Sequence, residues 1–204
     1  MKSRMKGPTE LSVLEILTRL NYEIPEGVTN HSLRTAELAR ELAEIHGVDP
    51  DRAQIAALVH DVADVYSDRE LLSLAEEFDL PVTLTEARVP KLLHAAVGAE
   101  VLHRDWGIDD DEILDAVRDH VTGGVRMSPL AKVLFVADKL EPERDHYYGG
   151  LNPIRELAKI SLDQAILRLY AWRMGSLVSA EQPVDHRLVD ARNRLIDHSL
   201  ASRR

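Results

Sequence analysis

The chain contains no cysteine. Disulfides, thiolate zinc sites and cysteine-held iron–sulfur clusters are therefore excluded. Aromatic residues make up only 4% of its 204 positions, too few for a stacking platform along single-stranded nucleic acid. No long apolar run occurs, and none follows the basic start Met1-Lys2-Ser3-Arg4-Met5-Lys6. Neither a signal peptide nor a membrane span is read, and a cytoplasmic protein is expected. No stretch alternates apolar and polar residues as a half-buried strand would, and no repeat or low-complexity segment is visible.

What the chain does hold is 45% hydrophobic and 29% charged residues, with a formal net charge of -10. That composition suits one domain with a sizeable core. The acidic balance argues against non-specific nucleic-acid binding, but not against a local basic site. Apolar residues recur at helical spacing almost throughout. Leu11, Val13, Leu14, Leu17 and Leu20 mark a first helix. Pro25-Glu26-Gly27 breaks it, and Thr29 or Asn30 is expected to cap a second. Asp49-Pro50 is a cap followed by a first-turn proline, opening the helix expected to carry His60-Asp61. Further helices are expected from Ser67 or Asp68, over Lys91 to Trp106, and from Asp109–Asp111 to His120. Others are expected over Leu130 to Leu140, Leu162 to Val178 and Asp185 to Leu200. Pro81 to Pro90 and Asp145 to Pro153 read as loops, and Thr122-Gly123-Gly124 as a turn. The expected architecture is an all-α bundle. Residues 1–20 form an N-terminal helical extension, residues 21–180 the main domain, and residues 181–204 a C-terminal helix packed on it, with a homodimer contact as that helix's sharper role.

The histidines carry the chemistry. His31 is placed in the first turn of its helix, and His60-Asp61 at the end of an apolar stripe. His94 follows Leu92-Leu93, and His120 closes its helix. Asp138 sits deep in the most apolar helix, where a carboxylate without a partner would be costly. It calls for a metal, an arginine or a lysine such as Lys139. Imidazole and carboxylate are ligands that iron, zinc and manganese accept. A lone His-Asp pair says little; six such residues in order, spread over five elements, say more. His46, His103, His186 and His198 read as surface or core histidines, His146 as a loop histidine, and Trp106 and Trp172 as core.

The ordered set His31, His60-Asp61, His94, His120, Asp138 resembles the HD-domain superfamily of metal-dependent hydrolases. The resemblance implies that His31, His60, Asp61 and Asp138 are primary metal ligands, with His94 and His120 building a second metal site. Four stretches narrow it: Thr29 to Arg34, Lys91 to Ala99, His120-Val121-Thr122-Gly123, and Ser128 to Arg144. They are similar to one branch, the bacterial HD-domain symmetrical diadenosine tetraphosphate hydrolases, over roughly Asn21 to Ala180. This likeness implies an HD-domain helical bundle, a small nucleotide substrate, an ADP product and a divalent metal. Iron is the metal implied, in a mononuclear or dinuclear centre, with manganese or zinc as alternatives. Asp61, His94 and His120 are the expected catalytic positions. Thr122, Gly123, Arg126, Lys132, Lys139 and Arg144 are the expected substrate contacts, Arg144 through its Glu-Pro-x-Arg word. Two positions depart from the family pattern. Asp64 stands where a lysine is usual after the His-Asp pair, and Tyr147-Tyr148-Gly149-Gly150 replaces a Pro-Gly-Val word. A similar ligand order occurs in HD-domain di-iron oxygenases, and a nucleotide-sensing module is the non-catalytic alternative.

Overall fold

The computed structural model describes residues 11–145 and 150–201. Among them there is no strand, and the chain is all-α as expected. In order come α1 (Val13–Glu23), α2 (Glu26–His46), α3 (Pro50–Val59), α4 (Asp68–Glu77) and α5 (Leu84–Arg88). A 3-10 turn, Pro90–Leu93, leads into α6 (His94–Arg104), followed by α7 (Asp111–Asp119) and α8 (Pro129–Leu140). A second 3-10 turn, Pro142–Arg144, precedes α9 (Asn152–Ile160), α10 (Leu162–Ser179) and α11 (His186–Ala201).

Side-chain caps set most of the starts. Ser12, Ser67 and Thr83 form capping boxes with Glu15, Glu70 and Glu86. Asp49, Asp110, Ser128 and Ser161 accept hydrogen bonds from first-turn amides. The bundle is organised around α8, the most apolar helix, with α2, α3, α7 and α10 packed against it. Val133, Leu134, Val136 and Ala137 on α8 are completely buried. Burying each of the larger ones stabilises the fold by about 1.5–3 kcal/mol. One continuous apolar cluster runs from Ile16 on α1 to Ala191 on α11.

The structure corrects four local expectations. Helix α2 begins at Glu26, with Pro25 as its cap, so neither Thr29 nor Asn30 caps it. Thr29 is buried inside the helix, where its hydroxyl donates to the Leu20 carbonyl. His31 consequently lies in the second turn. Helix α3 stops at Val59, which leaves His60-Asp61 just past its end. The expected loop over residues 81–90 contains α5, nucleated by the Thr83–Glu86 box. The loop expected after Asp145 is helical from Asn152, where Pro153 takes a first-turn place. His146, Tyr147, Tyr148 and Gly149 lie outside the described residues, as do residues 1–10 of the expected extension.

Candidate metal centre

His60 and His120 occupy the same kind of place. Each is the first residue after its helix, where the last carbonyls lack amide partners. Each turns its Nδ1–H back onto the carbonyl three residues earlier: Ala57 at 2.8 Å and Val117 at 2.7 Å. His94, at the join of the 3-10 turn and α6, does the same to Lys91 at 2.5 Å. With Nδ1 donating, the neutral ring presents a bare Nε2 lone pair at its other end. The four imidazoles His31, His60, His120 and His94 stand in a row, with successive centroids 5.2, 4.9 and 5.0 Å apart.

Asp61 lies across the middle of that row. Its Oδ2 is 3.2 Å from Nε2 of His60 and 3.7 Å from Nε2 of His31. Its Oδ1 is 3.3 Å from Nε2 of His120 and 3.4 Å from Nε2 of His94. One carboxylate oxygen therefore faces each imidazole pair. Asp138 closes the His31 end, with Oδ1 3.1 Å from His31 Nε2 and 3.8 Å from His60 Nε2. His31, His60 and Asp138 offer three ligand atoms within 4.8 Å of one another, and so do His60, Asp61 and His120.

The donor set fits divalent cations. Nε2 of the fully buried His60 makes no hydrogen bond, and a buried unpartnered polar atom is expensive. Nε2 of His94 and Nε2 of His120 lie 3.0 Å apart although both rings donate through Nδ1. Two lone pairs so placed repel unless a proton or a metal cation lies between or beside them. The charges agree. Burial disfavours the His60 imidazolium, yet Asp61 and Asp138 prevail and push its pKa up to about 10. Burial also works against the Asp61 carboxylate, but His60, His120 and His94 hold it well below the usual range. His120 is pushed down to about 4, by burial and by its neighbours His60 and His94.

Around this centre lie cations and one further acid. Lys139 donates to Oδ2 of Asp138 at 2.7 Å and to the His120 carbonyl at 2.5 Å. Arg144 donates to Oδ1 of Asp138 at 2.7 Å and reaches Nε2 of His31 at 3.1 Å. The cationic partners expected for Asp138 are thus present. Glu141, read from sequence only as a helix stop, is buried and orients His31, its Oε1 3.2 Å from Nδ1. Burial disfavours its charge, but Arg34, donating at 2.7 Å, helps keep its pKa low. The one sequence signal for Glu141 is its place in the Glu-Pro-x-Arg word.

A cavity of about 380 Å³ opens over the centre, lined by His31, Asp61, His94, His120 and Asp138 together with Lys139 and Arg144. Of the other expected substrate contacts, Thr122 lines an adjoining cavity instead. Gly123 packs against the Tyr170 hydroxyl. Arg126 and Lys132 line a separate basic cavity whose lining shares only Tyr170 with that of the metal cavity. The turn at Gly123-Gly124 carries the following residues away from the centre, so closeness in sequence to His120 does not become closeness in space. Trp106 is buried as expected, under the Arg19 guanidinium. Trp172 is not core; it lines the metal cavity. Asp64 pairs with Lys91 at 3.0 Å.

A family model described as HD domain matches residues 28–143. The chain belongs to the HD-domain family. Within that family, this HD domain is 35% identical over 170 residues to a symmetrical bis(5'-nucleosyl)-tetraphosphatase of Bacillus subtilis, covering 83% of this chain and 90% of the relative. It is 31% identical over 183 residues to the Staphylococcus aureus enzyme of the same name, covering 88% and 93%. A crystal structure from Clostridium acetobutylicum, described as a predicted HD superfamily hydrolase involved in NAD metabolism, superposes with a TM-score of 0.88. It is 29% identical, over 92% of this chain and 98% of that one.

Proposed function

We propose that this HD-domain protein is a metal-dependent phosphohydrolase that cuts diadenosine tetraphosphate, and related dinucleoside polyphosphates, symmetrically into two ADP. One observation carries the chemistry: Asp61 turns one oxygen to each imidazole pair, an arrangement suited to two cations bridged by a carboxylate. The substrate follows from the relatives named symmetrical bis(5'-nucleosyl)-tetraphosphatase.

His31, His60 and Asp138 would hold one cation, His94 and His120 the other, with Asp61 shared. Iron is the proposed metal, and manganese and zinc suit the same ligands. Such a pair would supply Lewis acidity at the phosphoryl group and a strong nucleophile at neutral pH. The chain's own groups do the rest. Lys139 and Arg144 present positive charge beside Asp138, where polyphosphate oxygens need neutralising. The apolar wall of Val28, Leu151 and Trp172 offers a surface for one adenosine. In the net reaction, the oxygen of water joins the second phosphorus of one half. The bond from that phosphorus to the central bridging oxygen breaks, the oxygen leaves as the terminus of the other ADP, and a proton is released. No described helix is long and apolar enough to cross a membrane, and the proposed setting is the cytoplasm.

The test is product chromatography with iron-loaded protein and diadenosine tetraphosphate under anaerobic conditions. Two ADP per substrate are expected. AMP plus ATP, or turnover only with dioxygen, would overturn the reading.

A further inference from the structure

A substrate with two nucleosides needs two places to put them. The metal cavity, at about 380 Å³, sits near the small end of the roughly 300–1,000 Å³ usual for small-molecule sites. It suits one nucleoside diphosphate, and the reaction proposed above requires a place for a second. The row of imidazoles has two ends. Near His31 the metal cavity is lined by Gly27 and Val28, one turn earlier on α2. At the His94 end, a second cavity of about 280 Å³ adjoins it and shares Val121, Arg173 and Leu188 with its lining. Its apolar walls include Val89 and Leu92, just before His94, and Leu177 and Pro183, at the join of α10 and α11. Ser176 and Gln182 add polar groups on the same lining, a composition that fits a base and a ribose. Asp185 also lines it, but both its oxygens are paired with Arg187, so its charge does not oppose phosphate there. Arg173 lines both cavities, is exposed, and makes no hydrogen bond or ion pair among the described residues.

We propose that the cavity between the Pro90–Leu93 turn and the α10–α11 join is the subsite for the second nucleoside, with Arg173 at its rim holding the polyphosphate between the halves. This rests on the tetraphosphatase reading. With Asp61 at the middle of the row, the metal cavity over it and the second cavity beyond its His94 end, each half of a substrate cut at its centre has a seat. Arg173 becomes a specificity residue supplied by α10, outside the metal-ligand set.

The experiment compares kcat/KM for diadenosine tetraphosphate and for adenosine 5'-tetraphosphate, which has the same phosphates and only one nucleoside. Ser176→Trp fills the second cavity from an exposed helix position that the fold should tolerate, and Leu177→Trp fills it from its apolar wall. Each should lower kcat/KM for the dinucleotide roughly tenfold or more, because a remote part of the substrate loses its seat. Activity on adenosine 5'-tetraphosphate and bound metal should stay unchanged. Arg173→Ala should raise KM for both substrates. Equal effects of Ser176→Trp on both, or none on either, would overturn the subsite while leaving the tetraphosphatase reading intact. If the unmodified protein turns over neither substrate, that reading falls and the subsite with it.

Discussion

The ligands at this centre owe their aim to hydrogen bonds that the sequence shows unevenly. Glu141 is the clearest case, because it fixes His31 from 110 positions away. Groups that orient a metal-bound imidazole typically carry 10–100-fold in metal affinity. Glu141→Gln should therefore weaken metal binding by about tenfold or more while leaving the helical fold unchanged. Metal content after dialysis, read beside circular dichroism, checks this; full retention would show that Glu141 does not set the ring. That these six side chains belong together was legible because their types and order are informative in one dimension. Glu141 was not, because its role exists only once α2 and α8 are packed together. Arg126 and Lys132 were misplaced for the converse reason: a two-glycine turn separates in space what is adjacent in the chain.

At the scale of the helices, α7 is the support for His120, and its start is doubly held. Asp110 caps it, accepting from the amides of Glu112 and Ile113, and also pairs with Arg52 of α3 at 2.5 Å. Burial works against the Asp110 charge, but Arg52 and the two amides keep its pKa below the ordinary 3.8. A depressed carboxylate pKa stabilises the fold above the unfolded value, and that stability is lost as pH falls through the native value. Asp110→Asn keeps a capping residue but loses the charge, and should cost about 1 kcal/mol at neutral pH. In thermal melts the gap from the unmodified protein should be full above pH 3.8 and close below it; a gap independent of pH would refute the ion-pair account. The far end of α7 gives a second check. Gly123 has φ +72° and lies against Tyr170, so an added Cβ would collide with the phenol. Gly123→Ala should destabilise by about 2 kcal/mol or more, measured by denaturant melts; a neutral effect would mean that Tyr170 can move. The turn was legible from its glycines, whereas its close partner, 47 positions on, was not. Helix α5 was missed because it has only five residues, although its cap Thr83 is visible in the sequence; α9 was missed because no side chain caps its start, where Leu151 stands before Asn152-Pro153.

For the molecule as a whole, the candidate metal ligands come from both halves of the bundle. His31 follows from α2, His60-Asp61 from the end of α3, His94 from α6, His120 from the end of α7 and Asp138 from α8. The two cations proposed here, sharing Asp61, would together tie five elements, and a ligand that binds only the folded chain raises its stability by mass action. Removing metal with a chelator should therefore lower Tm by several degrees, since each kcal/mol is worth about 2–4 °C in a chain of this size. Restoring metal should reverse it, and a Tm indifferent to chelation would count against a centre shared between elements. The all-α class was legible from helical periodicity alone, because nearly every element shows an apolar stripe. The cavities were not, since they form between elements distant in the chain, as Val89 and Leu177 illustrate.

Three of the four imidazoles take their direction from peptide carbonyls of their own helix ends. A peptide carbonyl is present whatever amino acid occupies the position, so no point mutation deletes it. Neighbouring side chains around His60, His94 and His120 are thus free to drift over generations without turning the rings. His31 is different, because its anchor is a side chain and can be lost in one substitution. In a diverging lineage, position 141 is where the centre is most exposed to inheritance, and where a change of metal preference would first be written.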